Sequence, residues 1–422
     1  MRALRAAILA LCAWPLAPSA LPASPEPVLL STLDAPPSAS APQVSLVTFA
    51  PGEVYWQRFG HNALLVRERG EARLYNYGIF DFHQENFFLN FARGRMLYRL
   101  DVAPLDWALR QYVAEGRWAL EQRLALDEAQ ATALSVFLAW NARPENADYR
   151  YDYFFANCST KTRDAIDRVL GGALRAQLEA QPGSGGSFRS EVLRLMAPMP
   201  PLMLGMDLGL GPRVDAPLDA WQEGFIPMRL MTALRTVRIV TDGIERPLIA
   251  GEYRLTPQPI DEAPALPAPS PWLPMLLTGL VVAALLIGLR RVRRNVVARV
   301  GGGLLSAVLA LIFGLAGVVL ALGWFGTEHW GMRDNRNLLL LSPLWLLLLP
   351  ALLGGLRRVP HRSGAVSRVV AIVLALAAVL ALLLSPFDVQ PNLHWVLLLL
   401  PPQLVLLAPV MSRAEARDRF AG

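Results

Sequence analysis

Hydrophobic and polar positions change their pattern near residue 272. Beyond Trp272 the chain becomes long Leu/Val/Ala runs divided by short polar loops. Five of these, residues 272–289, 304–325, 338–356, 369–384 and 395–411, are long and apolar enough to span a bilayer, the last two being the shortest. Up to about Tyr253 charged, aromatic and apolar residues mix as they do in a globular domain. Weak alternation over residues 44–49 predicts a strand, Pro51-Gly52 a turn, and residues 62–66 and 73–77 about Gly70 a hairpin. Helices are predicted over 106–116, over 127–139 with Asp127 as N-cap and Ala131, Leu134 and Leu138 on one face, and over 158–170 with Gly171-Gly172 as its stop. The aromatics Phe82, Phe87, Phe88, Phe91 and Tyr98 are expected to serve core packing rather than ligand stacking. The fold class is therefore α+β for the first part and an all-α bundle of five spans for the second.

The two ends and the connecting segment complete the division. Residues 1–20 carry Arg2 and Arg5, an apolar run and then Ala17, Ser19 and Ala20, the order of a secretory signal; Pro15 and Pro18 break the run before it reaches the length of a span. Residues 21–43, rich in Pro, Ser and Ala, form a flexible lead-in; 44–250 form the exported domain, 251–271 a Pro-rich linker, 272–411 the bundle and 412–422 a tail.

Charge sets the orientation. Twelve arginines occupy alternate connections: Arg290, Arg291, Arg293, Arg294 and Arg299; Arg357, Arg358, Arg362 and Arg368; and Arg413, Arg417 and Arg419. The other two connections hold only two arginines, Arg333 and Arg336, both in the first, and no basic residue but His394 in the second. The arginine-rich loops are cytoplasmic by the positive-inside rule, which leaves everything before Trp272 outside the cytoplasm. A net charge of +6 is thus accounted for by topology, and no glycine-rich phosphate loop or nucleic-acid motif accompanies it, so nucleic acid is not expected as a partner.

Only two cysteines exist, Cys12 inside the signal segment and Cys158 in the domain, which excludes an internal disulfide or a cysteine-rich zinc site in the processed chain. No metal or other cofactor is expected. Asn157 is placed to cap the helix that Cys158 opens, so the thiol sits where free backbone N–H groups, the helix dipole, Lys161 and Arg163 favour a thiolate. A lowered thiol pKa and a nucleophilic role follow as expectations. Such a nucleophile needs an imidazole base and a polar group that fixes its tautomer. Of five histidines, His61 and His83 fall in the domain; His61, at the mouth of a hairpin strand, is preferred, with Asn76 on the partner strand as orienter.

Phe59-Gly60-His61-Asn62-Ala63, Tyr75-Asn76-Tyr77-Gly78-Ile79-Phe80-Asp81-Phe82 and Asn157-Cys158-Ser159-Thr160, in that order, resemble the Lnb-type periplasmic domain of bacterial lipoprotein N-acyltransferases. That group is similar to the circularly permuted papain-like fold of the lecithin:retinol acyltransferase and NlpC-type superfamily, whose retinol-acyltransferase members carry a second histidine near the position of Asn76. The resemblance covers about residues 44–234 and implies that Cys158 takes an acyl chain from a phospholipid as a thioester. His61 would act as base and then acid, and the acceptor would be the N-terminal amine of a lipoprotein. Asn62, Asn157 and Lys161, with Met203, His329 and Asn337, form the candidate substrate-binding set. Residues 195–211, with Met196, Met199, Met203 and Met206, serve either as an apolar wall for acyl chains or as ordinary packing. His329, Asp334, Asn337, Asn392 and His394 in the outer loops either meet lipid head groups or cap helix ends. Competing readings are a cell-wall amidase or peptidase using the same pair, and an envelope binding module with an inert cysteine.

Overall fold

A computed structural model describes residues 41–80, 84–241, 243–261, 271–356, 363–387 and 390–412; the signal segment, the arginine-rich tail, His83 and His361 lie outside these. Seven strands form one antiparallel sheet: β1 (Gln43–Phe49), β2 (His61–Glu68), β3 (Glu71–Ile79), β4 (Leu97–Pro104), β5 (Ala119–Leu124), β6 (Asp148–Arg150) and, after a separate hairpin of β7 (Arg238–Thr241) and β8 (Ile244–Pro247), β9 (Ile249–Arg254). Their order across the sheet is β6-β4-β3-β2-β1-β5-β9. The last strand runs past residue 250: Tyr253 pairs with Glu121, and the Ala119 N–H is held at 2.9 Å by the Thr256 hydroxyl, so the sheet claims the first residues of the expected linker.

Both faces of the sheet are covered, which is why β1 alternates so weakly. Val44 and Leu46 enter a core with Leu134 and Leu138 of α3 (Glu128–Asn141) and Ile166 of α4 (Cys158–Val169), while Val47 and Phe49 enter the opposite core with Leu105 and Leu109 of α2 (Leu105–Ala114). Strand residues facing a core on either side have no polar face to display. Asp127 caps α3 as the sequence predicts, accepting from the Gln130 N–H at 2.7 Å, and Gly171 and Gly172 after α4 take the left-handed φ values of 62° and 87° that end a helix.

The aromatic stretch serves the core only in part: Tyr98 is buried, Phe88 and Phe91 are not, and Phe82 lies outside the described residues. Phe88 is 75% exposed, and Leu89 and Phe91 beside it on the short helix α1 (Phe87–Ala92) are also exposed. Residues 195–211 divide: Met196, at the end of α5 (Phe188–Met196), is fully buried against Phe154, Phe188 and Phe225, whereas α6 (Pro200–Gly209) carries its polar end to the bundle.

Five spans follow: α7 (Trp272–Arg291), α8 (Val296–Phe325), the segment Arg336–Leu356, α9 (Ala365–Leu384) and α10 (Leu393–Met411). The third is not a regular α-helix. It is built of short 3₁₀ turns and one α turn, with Pro343 and Pro350 removing two backbone donors from its ladder. In α10, Pro401 and Pro402 free the carbonyls four residues earlier, and Gly279 of α7 packs against those two oxygens, Leu397 and Leu398, where a Cβ would collide.

The domain is fastened to the bundle by a buried polar seam. Asp207 of α6 accepts from His394 Nε2 at 2.6 Å and from Trp395 Nε1 at 2.8 Å, both on α10, and pairs with Arg189 at 2.9 Å. Arg189 also pairs with Asp215 at 2.7 Å. Burial alone would raise the Asp207 carboxyl, but its hydrogen bonds and the Arg189 charge hold it below the usual carboxylate range. Asn335 donates to the Leu208 and Gly209 carbonyls at 2.8 and 2.9 Å, and the Gly211 N–H donates to Gly331 at 2.7 Å.

Candidate active site

Asn157 makes the first turn of α4 and thereby aims the thiol. Its Oδ1 accepts from the Ser159 and Thr160 N–H groups, both at 2.9 Å, and its Nδ2 donates to the Tyr153 and Phe225 carbonyls, both at 2.9 Å. Every polar atom of that side chain is engaged, so Asn157 positions Cys158 and has nothing left for a substrate. The side chain of Asn62 is equally committed: it accepts from Thr48 Oγ1 at 2.8 Å and donates to Ser159 Oγ at 3.0 Å and the Pro227 carbonyl at 3.3 Å, locking β2 to α4.

The half-buried Cys158 sulfur is faced by the backbone N–H groups of Asn62, Ser159 and Cys158 itself. The Asn62 N–H is available because the β2–β3 ladder begins only at Leu64 opposite Tyr75. β3 makes room for the helix start with a register shift between Asn76 and Ile79 and with Gly78, whose φ is +90°; a Cβ there would lie 3.4 Å from the Cys158 Cβ. A glycine inside a strand signals such a close approach. That signal was present in the Tyr75-Asn76-Tyr77-Gly78 run.

His61 opens β2 one residue before the N–H that meets the sulfur. Its Nε2 lies 3.2 Å from Asn76 Oδ1. Because Asn76 Nδ2 donates to the Leu74 carbonyl at 3.1 Å, the amide oxygen is the end that faces the imidazole, so Nε2 carries the proton and Nδ1 keeps a lone pair. Among the described residues no hydrogen bond joins either ring nitrogen to the sulfur; the two groups meet at the same strand mouth without a direct link. Phe49 stacks on the His61 ring at 5.9 Å, and Tyr112 stacks on Phe49 at 4.0 Å.

The electrostatics overturn the expected thiolate. Burial raises the Cys158 thiol above its ordinary value despite the three N–H groups. Burial lowers His61 to about 4, the Asn76 hydrogen bond opposing and the Arg117 charge adding to the shift. Both groups are therefore neutral at pH 7. The cations that were expected to help are used elsewhere. Arg163 stacks 3.6 Å over the Trp221 ring and pairs with Asp164, and the Lys161 ammonium lies 5.1 Å over the Tyr149 ring. Tyr98, raised to about 12, stacks on Tyr151 at 4.2 Å, and burial also raises Tyr149 and Tyr151, each with Cys158 contributing, so this wall stays protonated.

Two family models match the chain, the Lnb N-terminal periplasmic domain over residues 36–196 and the Lnb transmembrane domain over residues 268–412. The chain belongs to the Lnb family. Neither a curated protein nor a solved structure matches it. As an Lnb protein it is an inner-membrane protein with its N-terminal domain in the periplasm, and five apolar helical segments suited to crossing the bilayer.

Three further members of the substrate-binding set settle into structural contacts in this Lnb chain. Asn337 is fully buried, donating to the Leu208 carbonyl at 3.1 Å and accepting from Asn392 at 3.1 Å, so it belongs to the seam. Met203 packs against the core of Phe154 and Phe188. His329 donates to the Phe91 carbonyl at 3.0 Å and stacks on Tyr153 at 6.0 Å, which holds α1 against the bundle. Tyr149 and Tyr151, within electrostatic reach of the thiol, and the Asn62 N–H that faces it were not singled out in the sequence; tyrosines in an aromatic run look like any others, and a backbone donor leaves no trace in residue identity.

Proposed function

We propose that this chain is a thiol-dependent acyltransferase that moves an acyl chain from a phospholipid, through a thioester on Cys158, to the N-terminal amine of a lipoprotein. The observation that carries this reading is the thiol at the capped start of α4 beside a His61–Asn76 pair on one strand mouth, in a domain fastened to the membrane bundle. His61 Nδ1 takes the thiol proton as sulfur bonds to the ester carbonyl carbon. Because thiol and imidazole are both neutral beforehand, transfer accompanies attack rather than preceding it.

The oxygen that becomes negative on that carbon is met by the N–H groups of Asn62 and Cys158, which already converge on the sulfur. Collapse breaks the ester C–O bond, and the imidazolium returns its proton to the lysophospholipid oxygen. The amine then attacks the thioester carbonyl, His61 removes its proton, the C–S bond breaks and the sulfur is reprotonated. The similarity of the three motifs to lipoprotein N-acyltransferases supports the choice of donor and acceptor.

Membranes containing the protein, digested and analysed by mass spectrometry, test this. A fatty-acyl adduct on Cys158, absent in Cys158→Ala and accumulating on addition of phospholipid, is expected. Cleaved peptidoglycan without any adduct points instead to an amidase, and an unmodified Cys158 that ignores thiol reagents removes both enzyme readings.

A further inference from the structure

A second site lies where the domain meets the outer end of α8. That span closes with Trp324 and Phe325, stacked at 4.7 Å, and Phe325 is 75% exposed. Aromatic pairs of this kind mark the level of the lipid head groups. The next residues turn directly into the domain: the Glu328 N–H donates to the Arg93 carbonyl at 2.8 Å, and Gly94 packs against the His329 backbone. The residues after α1 are therefore fixed at the bilayer surface.

A cleft of about 300 Å³ opens there, lined by Arg93, Arg95, Gly326, Thr327 and Glu328. Its charge is unbalanced. Glu328 is shared by Arg95 at 2.8 Å and Arg150 at 2.6 Å, and the Arg93 guanidinium makes no hydrogen bond or ion pair among the described residues. Two guanidiniums and one carboxylate thus line an open cleft at head-group level, and Arg150 draws further on that carboxylate. Beside it, α1 turns Phe88, Leu89 and Phe91 outward, continuing the apolar belt of Phe325. An exposed apolar patch contiguous with a transmembrane belt and edged by arginines has the composition of a surface that sits in a leaflet. From the cleft, His329 stacks on Tyr153, and Tyr153 meets the Tyr151 ring edge-on at 5.7 Å, within electrostatic reach of Cys158.

We propose that this cleft seats the phosphate of a phospholipid head group on Arg93 and Arg95 while Phe88, Leu89 and Phe91 enter the periplasmic leaflet, so that a bound lipid lies with its ester linkages toward the Tyr153–Tyr151 side of Cys158. Only the lipid's role as acyl donor rests on the acyl-transfer reading. Guanidinium suits a phosphate diester because its fork presents paired donors to two oxygens.

The full-length Cys158→Ser chain, purified in an uncharged detergent and examined by native mass spectrometry, separates the two questions because no turnover is needed. It is expected to retain phosphatidylethanolamine and to ignore diacylglycerol with the same chains. Arg93→Gln is expected to weaken retention about tenfold, the loss of one charge-assisted contact, and Phe88→Ser to weaken it as well. Arg99→Gln, on β4 and paired with Asp148, serves as a control expected to leave retention unchanged. Unaltered melting temperatures in the variants establish that folding is intact. Equal retention of diacylglycerol, an unaffected Arg93→Gln chain, displacement of lipid by inorganic phosphate at equal concentration, or preferential retention of a diacylglyceryl-peptide would each overturn the seat. Failure of acyl transfer in the wild-type chain, with phospholipid retention intact, would remove the acyltransferase reading alone.

Discussion

Asn76 holds the His61 tautomer, and changing it in two ways exposes what the pair does. In Asn76→Ala the Nε2–H at 3.2 Å loses its acceptor in a buried setting. Leaving such a donor unpaired costs about 1–3 kcal/mol. The imidazole escapes this by moving its proton to Nδ1, the nitrogen that must stay free to accept from the thiol. Transfer of the Cys158 proton then falls by roughly a hundredfold, the usual contribution of a positioned base. In Asn76→Asp a carboxylate replaces the amide oxygen. It keeps the tautomer and favours the imidazolium, so His61 rises from about 4 toward the ordinary histidine range.

The assay is the rate of iodoacetamide alkylation at Cys158 against pH, read by mass spectrometry on the full chain, which needs no knowledge of the substrate. With the wild type, base assistance persists as the medium is acidified and disappears as pH falls through about 4. With Asn76→Asp the same limb appears at least one pH unit higher, and with Asn76→Ala the assisted rate is lost at all pH values. An acid limb that stays in place when Asn76 becomes Asp would refute the assignment of His61 as the base and of Asn76 as its orienter.

Other outcomes follow from the same contacts. His61 ordinarily titrates at 6.5 and does so at about 4 in the folded chain, a difference worth about 3 kcal/mol. Its depressed value means this stability is present above pH 6.5 and lost as pH falls toward 4, so acid unfolding monitored by circular dichroism should begin at lower pH in His61→Gln. Gly78→Ala forces a side chain onto φ +90°, which costs roughly 1–3 kcal/mol, and should slow Cys158 alkylation while leaving the five spans folded in detergent. Asp207→Ala leaves Arg189 and His394 without their shared carboxylate in a buried seam and should destabilise it by about 3–5 kcal/mol, seen as protease cleavage between residues 197 and 219 that the wild type resists.

The chain displays its architecture more openly than its chemistry. Spans are legible because a bilayer admits only long apolar segments, and the cap of α4 is legible because Asn, a helix start and a diglycine stop leave local marks. β1 was faint because both of its faces are buried. The third span hides its irregular backbone, since Leu-rich composition alone does not report the 3₁₀ turns around Pro343 and Pro350. At the site His61 and Asn76 are in direct contact, and no hydrogen bond among the described residues joins Cys158 to either. What misled was inference from neighbours in sequence: Lys161 and Arg163 are close along the chain, yet their charges lie over the Tyr149 and Trp221 rings. Burial, a property of the whole fold, then raises the thiol that the helix start alone would lower.

The seam between α6 and α10 also sets a timetable for synthesis. His394, the partner of Asp207, lies 187 residues further along the chain. At ordinary elongation rates that separation means roughly 10–40 s between the appearance of the two residues. Throughout that interval the partners the domain itself can offer are Asp207 and Asp215 for Arg189, with the Leu210 and Gly211 carbonyls, and Arg189 for Asp207. Completion of the final helix supplies the missing donors, so docking reports that every preceding span has been inserted in its correct direction. A truncated or inverted bundle would leave the carboxylate held by Arg189 alone and the domain hanging free.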